Sequence, residues 1–396
     1  MATAAVLRLK RGHDRAWVHP WIFKGDVADV TGGEPGAAVS VIDSTGRFIG
    51  RGIFNPRPGL CCRIVTWRDE PIDDSLWRAR VAEAVARRAG RTGAVRLVWS
   101  EADGLPGLVA DRYGPVLVVQ CLTLGMARRR TALVGALRAA LGDVAIFSAD
   151  DPASAALEDF TAASGWIDDR SGPASVIVDE GPARLLVRLG AGHKTGLYLD
   201  QTDNRLRVGA LAAGRTVLDA FAYTAGFACQ ALAAGATHAV CLESSKEALA
   251  GAIDNLALNG VADRAEVRDD NAFDALRALE RGGQRFGLVI LDPPPFARTR
   301  TALPGALRGY KEINLRAARL LEPGGILATF SCSYHVSETA FEETVRSAAM
   351  DDRVRLRLLG GLDQSADHPA LLTVPETRYL KGLLLQACTD DSAVVR

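Results

Sequence analysis

The chain has 396 residues, 48% of them hydrophobic and 24% charged, with 47 basic and 47 acidic side chains and therefore no net charge. Such a length exceeds one ordinary core and predicts two or three domains, and the composition excludes a disordered or fibrous chain. No segment approaches the roughly 18 consecutive apolar residues of a membrane span, and the N-terminal MATAAVLRLKRGHDRAWVHP sets its charges after a short apolar stretch, the wrong order for a secretory signal; a cytoplasmic location is the expectation.

From Leu7 to Trp67, short alternating segments (VLRLK, WIFKGDV, AAVSVID, FIGRGIF, CCRIVTW) are separated by Gly32-Gly33, Pro35-Gly36 and the Pro56 to Gly59 turn. This spacing predicts a small β-barrel over residues 1–70. Its ten basic against seven acidic residues leave a modest positive surplus, a weak pull toward anionic partners. From Ile72 to Gly90 the period turns helical, with Trp77, Val81, Ala84 and Val85 on one face. RLVWSEADGLPGLVADRYGPVLVVQ then reads as strand, turn and hairpin, followed by a helix over 127–141 and strands over 176–189. Residues 71–185 are thus expected to form a small central α/β domain.

Beyond Thr216 the runs TVLDAF, HAVCLES, AEVRDD, FGLVILD and GILATFS each end on a polar residue and lead into a helical stretch. Residues 186–396 are therefore expected to build a doubly wound, Rossmann-like parallel sheet with its ligands at the strands' carboxyl ends. Seven cysteines without CxxC spacing indicate neither a disulfide framework nor a metal site. Cys121, Cys229 and Cys241 lie in apolar runs and read as buried small hydrophobes.

The polar strand ends carry the chemistry. A dinucleotide fold would place GxGxxG after its first strand so that backbone can approach a pyrophosphate. Here Asp219, Phe221, Tyr223 and Thr224 occupy that loop with one glycine, Gly226, ahead of Phe227, and NAD or FAD is disfavoured. Glu243 ends the second strand 24 residues after Asp219, where a carboxylate can accept ribose hydroxyls. Asp270 and Asn271 end the third, where they can accept an adenine amino group. A nucleoside without a pyrophosphate is what S-adenosylmethionine presents. The competing reading is that Glu243 and Asp270 only cap the next helices. The fourth strand gives LVILDPPPFA, in which three prolines stiffen the loop holding Asp292; Asp-Pro-Pro-aromatic resembles the motif with which many methyltransferases hold the amino group of a planar base.

After the glycine turn the run GGILATF ends in Ser331-Cys332-Ser333. Carbon 5 of cytosine is too poor a nucleophile to take a methyl group unaided, and a thiolate adding to carbon 6 converts the ring into an enamine. Cys332 falls at the sheet edge where such a thiolate is needed, with Asp292 able to bond or protonate the base; His335 could carry a proton but reads better as a surface histidine. The alternative is an inert strand cysteine.

Together these residues resemble the bacterial cytosine-5 methyltransferases of large-subunit (23S) rRNA, a family built from a PUA domain, a central α/β domain and a class I methyltransferase domain. The likeness runs through RAWVHPWIFKGDV, SEADGLPGLVADRYG, GHKTGLYLDQTDNR, VLDAFAYTAGFA, LESSKEAL, LDPPPFA, RGYKEINLRAARLLEPGG, FSCS, ADHP and RYLKG. It implies S-adenosylmethionine as cofactor, held by Asp219, Phe221, Tyr223, Thr224, Gly226, Phe227, Glu243, Ser244, Asp270, Asn271, Asp292 and Gln201. It further implies Cys332 as nucleophile and contacts to substrate from Lys194, Arg205, Pro293, Pro294 and Phe296. The implied partner is 23S rRNA, naked or in an assembling subunit; no membrane and no metal are expected from the composition, and no interface for a homodimer is legible. Two departures stand out. Ala225 replaces a glycine usual in the family, and no second cysteine follows the Asp-Pro-Pro motif, where Pro295, Phe296 and Ala297 stand. Three rivals stay open: the same fold methylating a base nitrogen, which assigns Cys332 no task; an inactive RNA-binding relative; and a methyltransferase for small molecules or proteins.

Overall fold

The structure is a computed structural model describing residues 5–168, 171–190, 195–297 and 299–389. Two compact units account for it, one comprising the described parts of residues 1–176, 187–199 and 367–378, the other those of 177–186, 200–366 and 379–396. No helix among the described residues is long and apolar enough to cross a membrane.

The first unit opens with six strands, β1 (Val6–Leu9), β2 (Trp21–Phe23), β3 (Val27–Thr31), β4 (Ala38–Ile42), β5 (Phe48–Phe54) and β6 (Leu60–Thr66), in the sheet order β2-β6-β5-β4-β1-β3. Alternation along these strands turns Leu7, Leu9, Val39, Val41, Ile49 and Ile64 into one core. Gly52 lets β5 and β6 close up, since a Cβ there would stand 2.7 Å from the Arg63 carbonyl oxygen. Asp73 caps the helix Asp74–Arg87 by accepting from the Ser75 and Leu76 amides, and the helix buries Trp77, Val81 and Ala84. It belongs to the core of a five-stranded sheet ordered β11-β10-β9-β8-β7, formed by β7 (Ala94–Trp99), β8 (Leu108–Tyr113), β9 (Val116–Cys121), β10 (Ala145–Ala149) and β11 (Ser164–Trp166). The single helix expected over 127–141 is a short turn Leu124–Ala127, capped by Thr123, followed by a helix Arg130–Leu141. The motif ADHP also serves this unit. Asp367 accepts the Arg96 amide at 2.9 Å, and the Arg88 guanidinium donates to the Asp367 carbonyl at 2.8 Å.

A hairpin of β12 (Ser175–Glu180) and β13 (Ala183–Arg188) turns at Gly181, whose φ of +57° suits glycine. The second unit's sheet consists of β14 (Thr216–Ala220), β15 (His238–Glu243), β16 (Ala265–Asp269), β17 (Phe286–Leu291), β18 (Leu321–Ser331), β19 (Leu356–Asp363) and β20 (Lys381–Ala387), ordered β16-β15-β14-β17-β18-β20-β19. The first five in that order pair in parallel, whereas β20 joins β18 and β19 antiparallel. Strand order reverses beside β14, whose neighbours are β15 and β17, and a ligand crevice opens where loops diverge at such a point. The Rossmann-like expectation holds. The sequence pattern does not show β19, which turns Arg357, Leu358 and Leu359 to solvent and so lacks an apolar run bounded by polar ends.

Candidate active site

The loop leaving β14 must reverse within six residues to start the helix Gly226–Ala233. It does so with Phe221, Tyr223 and Ala225 at φ of +64°, +49° and +59°, three non-glycine residues in the left-handed region. Each such residue costs about 1–2 kcal/mol, and clustered strain of this kind is typical of ligand-binding loops. Asp219 sits beneath the loop, 1% exposed, with one carboxylate oxygen accepting the Ala228 amide at 3.0 Å. Its other oxygen is buried with no partner among the described residues. Burial pushes this carboxyl up to about 7, the charges of Asp292 and Glu243 add to the rise, and the Ala228 amide and Arg205 oppose it.

Glu243, at the tip of β15, accepts the Tyr223 amide at 2.9 Å through one oxygen and the Ser244 and Ser245 amides at 2.8 Å through the other. It therefore fixes the strained loop and starts the next helix, and an ionised carboxylate with about four acceptor sites retains room for a further donor. Asp270 is exposed, and its amide donates to the Glu243 carbonyl at 3.2 Å. Asn271 caps the helix Ala272–Arg281 by accepting the Phe273 amide, so its side-chain oxygen already has a structural task. Thr224 is half-buried, and its carbonyl accepts from the Asn255 amide group at 2.9 Å. Gln201 is 2% exposed and accepts from Asn204, while its Nε2 has no partner among the described residues.

Arg205, expected at the substrate, is instead buried. Its guanidinium grips Glu180 through two bonds of 2.7 and 2.6 Å, beneath Gly226, where a Cβ would meet Arg205 at 3.0 Å. Such a fork-to-fork pair fixes the helix Thr202–Gly209 against the hairpin end. Lys194 lies outside the described residues.

On the other side of the switch point, the Asp292 amide donates to the Ala220 carbonyl at 3.4 Å, which ties the start of the Asp-Pro-Pro loop to the end of β14. Pro293 is buried and Pro294 exposed. Phe296 packs against Tyr310, Phe273 and Phe221 at ring separations of 4.6, 5.6 and 6.3 Å, and Phe227 lies 5.6 Å from Phe330. Cys332, half-buried, points its thiol at the Pro293 carbonyl, 3.7 Å away. The tips of the parallel neighbours β17 and β18 thus bring Asp292, Pro293 and Cys332 together, as the pattern of strand ends suggests. The remaining cysteines differ in environment: burial pushes the thiols of Cys121 and Cys229 up to about 12, and those of Cys61, Cys62 and Cys241 are raised as well.

Sequence reasoning assigned no role to the residues that hold this turn. Lys381, buried on β20, donates from Nζ to the carbonyls of Ser333 at 2.8 Å and Val336 at 2.7 Å. Ser333 Oγ meets the Tyr310 hydroxyl at 2.9 Å and accepts the Ala297 amide at 3.2 Å. Lys381 lies in the quoted motif RYLKG, but one lysine in a strand gives no sign that it clamps a turn 48 residues earlier.

The site suits S-adenosylmethionine. Buried polar atoms without partners at Asp219 and Gln201, spare acceptor capacity on Glu243 and a loop too bulky for a pyrophosphate together match a charged amino acid joined to a nucleoside. The fold and the site define a S-adenosylmethionine-dependent methyltransferase, and the family of that description matches residues 108–381, with a PUA-like domain matching 7–67. Over 387 residues the chain is 37% identical to the ribosomal RNA large subunit methyltransferase I of Salmonella arizonae, spanning 95% of this chain and 96% of that protein. It is 38% identical over 386 residues to its namesake from Klebsiella pneumoniae, with the same coverage. The chain belongs to this methyltransferase family. Its fold also matches the crystal structure of SMU.776 complexed with SAH, at a TM-score of 0.83 and 17% identity, covering 96% of this chain and 99% of the other.

Proposed function

We propose that the chain methylates carbon 5 of a cytosine in large-subunit rRNA through a transient bond to Cys332. The single observation that carries this reading is the 3.7 Å approach of the Cys332 thiol to the Asp292-Pro293 loop at the sheet's switch point. A base-nitrogen methyltransferase needs the loop but not the thiol. The rRNA substrate is taken from the relatives' names and from the PUA-like domain.

When bound, S-adenosylmethionine supplies a methyl group made electrophilic by its sulfonium. Glu243, Asp219 and Gln201 would hold it, and the buried carboxyl of Asp219 is the acceptor suited to a cationic amino group. The Cys332 thiolate forms a bond to carbon 6 of the cytosine, and the displaced π electrons make carbon 5 nucleophilic. Asp292 holds ring nitrogen 3 and the exocyclic amine, sharing a proton with the base as charge builds. After carbon 5 has taken the methyl group, its hydrogen leaves as a proton to a base, the 5,6 double bond re-forms, and the Cys332 thiolate departs with the bonding pair. No second cysteine stands after the Asp-Pro-Pro motif, so water or a neighbouring group takes that proton. Lys381 and Ser333 position the turn so that the thiol stays aimed at the loop.

RNA carrying 5-fluorocytidine tests the adduct, because carbon 5 then has no hydrogen to lose and the protein stays bonded. Wild type with cofactor is expected to form an RNA complex that survives denaturation and maps to Cys332, absent from Cys332→Ala. Release of such RNA without any trapped complex would refute the covalent reading.

A further inference from the structure

A second recess lies far from this chemistry in the sequence and within the first unit. It encloses about 270 Å³ between the segment after β6, the helix Asp74–Arg87, the turn at residues 101–106 and the segment around Leu371 to Val374. Its size is slightly below the roughly 300 Å³ at which small-molecule pockets begin, room for one base with its sugar rather than a stacked pair. Trp67 lines it with 39% of its surface exposed, the indole fixed by a 2.9 Å bond from Nε1 to the Ala16 carbonyl. A large aromatic ring held in place and left wet is a stacking surface.

The charges around it are uneven. Arg87 is matched by Asp103 and Glu83 at 2.5 and 2.6 Å, and Glu101 accepts the Trp21 indole N–H at 2.9 Å. Arg80 packs over Gly104, and its guanidinium has no hydrogen-bond or ion-pair partner among the described residues. One uncompensated planar cation beside one exposed indole matches a phosphate attached to a base, since a guanidinium offers paired donors to phosphate oxygens. An acidic peptide would satisfy Arg80 and leave the indole unused. We propose that this recess binds one unstacked nucleotide of the RNA, with its base on Trp67 and its phosphate at Arg80. The proposal rests on the reading that the chain acts on RNA.

The test uses the full chain, a short fluorescein-labelled single-stranded RNA and a naked large-subunit rRNA transcript. Arg80→Gln is expected to weaken binding of both about three- to tenfold and to lower the salt dependence by about one counterion. Trp67→Leu should weaken it roughly tenfold, and Arg80→Lys should restore part of the loss. Cofactor affinity should be unchanged in each. Arg80 is partly exposed, so its variants keep the test alive should Trp67→Leu fail to fold. Wild-type affinity and salt slope in Arg80→Gln would overturn the proposal while methylation by wild type upheld the proposed function. RNA binding through Arg80 without any methylated RNA would do the reverse, and absent RNA binding by wild type would overturn both. Unchanged RNA affinity with lost binding to protein-bearing subunit particles would assign the recess to a protein and also refute the proposal.

Discussion

Replacing Asp219 with asparagine tests whether the carboxyl under the cofactor loop is held in the state its surroundings dictate. Its folded pKa stands at about 7 against an ordinary 3.8, raised first by burial. In the window between these values the folded chain keeps a proton that the unfolded chain has released. Stability from this group is therefore greatest below about pH 4, falls as pH rises and is lost above about 7. At about 1.4 kcal/mol per pH unit, the change between pH 5 and 8 is about 3 kcal/mol. Asparagine keeps an oxygen for the Ala228 amide and carries no charge, so the variant lacks this slope. All six tryptophans lie outside the methyltransferase sheet, so amide hydrogen exchange of peptides from β14 and β17 is the assay, with the two proteins compared at each pH. The variant should gain stability relative to wild type by about 3 kcal/mol as pH rises from 5 to 8. Parallel stability curves would refute the reasoning.

Three further predictions follow from the same elements. Ala225→Gly removes the cost of a left-handed alanine and adds glycine's unfolded-state freedom, for a net gain of about 0.5–1 kcal/mol in stability; a lower melting temperature would count against the strain. Lys381→Met leaves the Ser333 and Val336 carbonyls without their charged donor, and turnover should fall at least tenfold while calorimetric affinity for cofactor stays within about threefold. Equal losses in both would show that the lysine supports the whole site and not the thiol's turn alone. Glu243→Ala should weaken cofactor binding by about 1–3 kcal/mol, read by calorimetry, part of it through release of the Tyr223 amide and the loop it holds.

Sequence pattern made the parallel sheet legible because four of its five parallel strands carry an apolar run with a polar end, while β16 alternates apolar and charged residues, and the same pattern pointed to Asp219, Glu243, Asp292 and Cys332. It could not show that β18 continues into an antiparallel pair, since β19 is mostly solvent-facing and β20 follows a long irregular segment. Roles that depend on partners distant in sequence were hidden too. Arg205 reads as a substrate cation until Glu180 is seen across from it, and Lys381 as a strand residue until it reaches the turn after Cys332. The left-handed backbone at Ala225 has no local sign in the sequence, since alanine carries no preference for that conformation.

The most direct measurement incubates wild type and Cys332→Ala with labelled S-adenosylmethionine and protein-free large-subunit rRNA, followed by nucleoside analysis. Label in 5-methylcytidine with wild type, and none with the variant at similar cofactor affinity, is the predicted result. Label in an N-methylated base, or undiminished transfer by the variant, would contradict the account and leave Cys332 a structural residue.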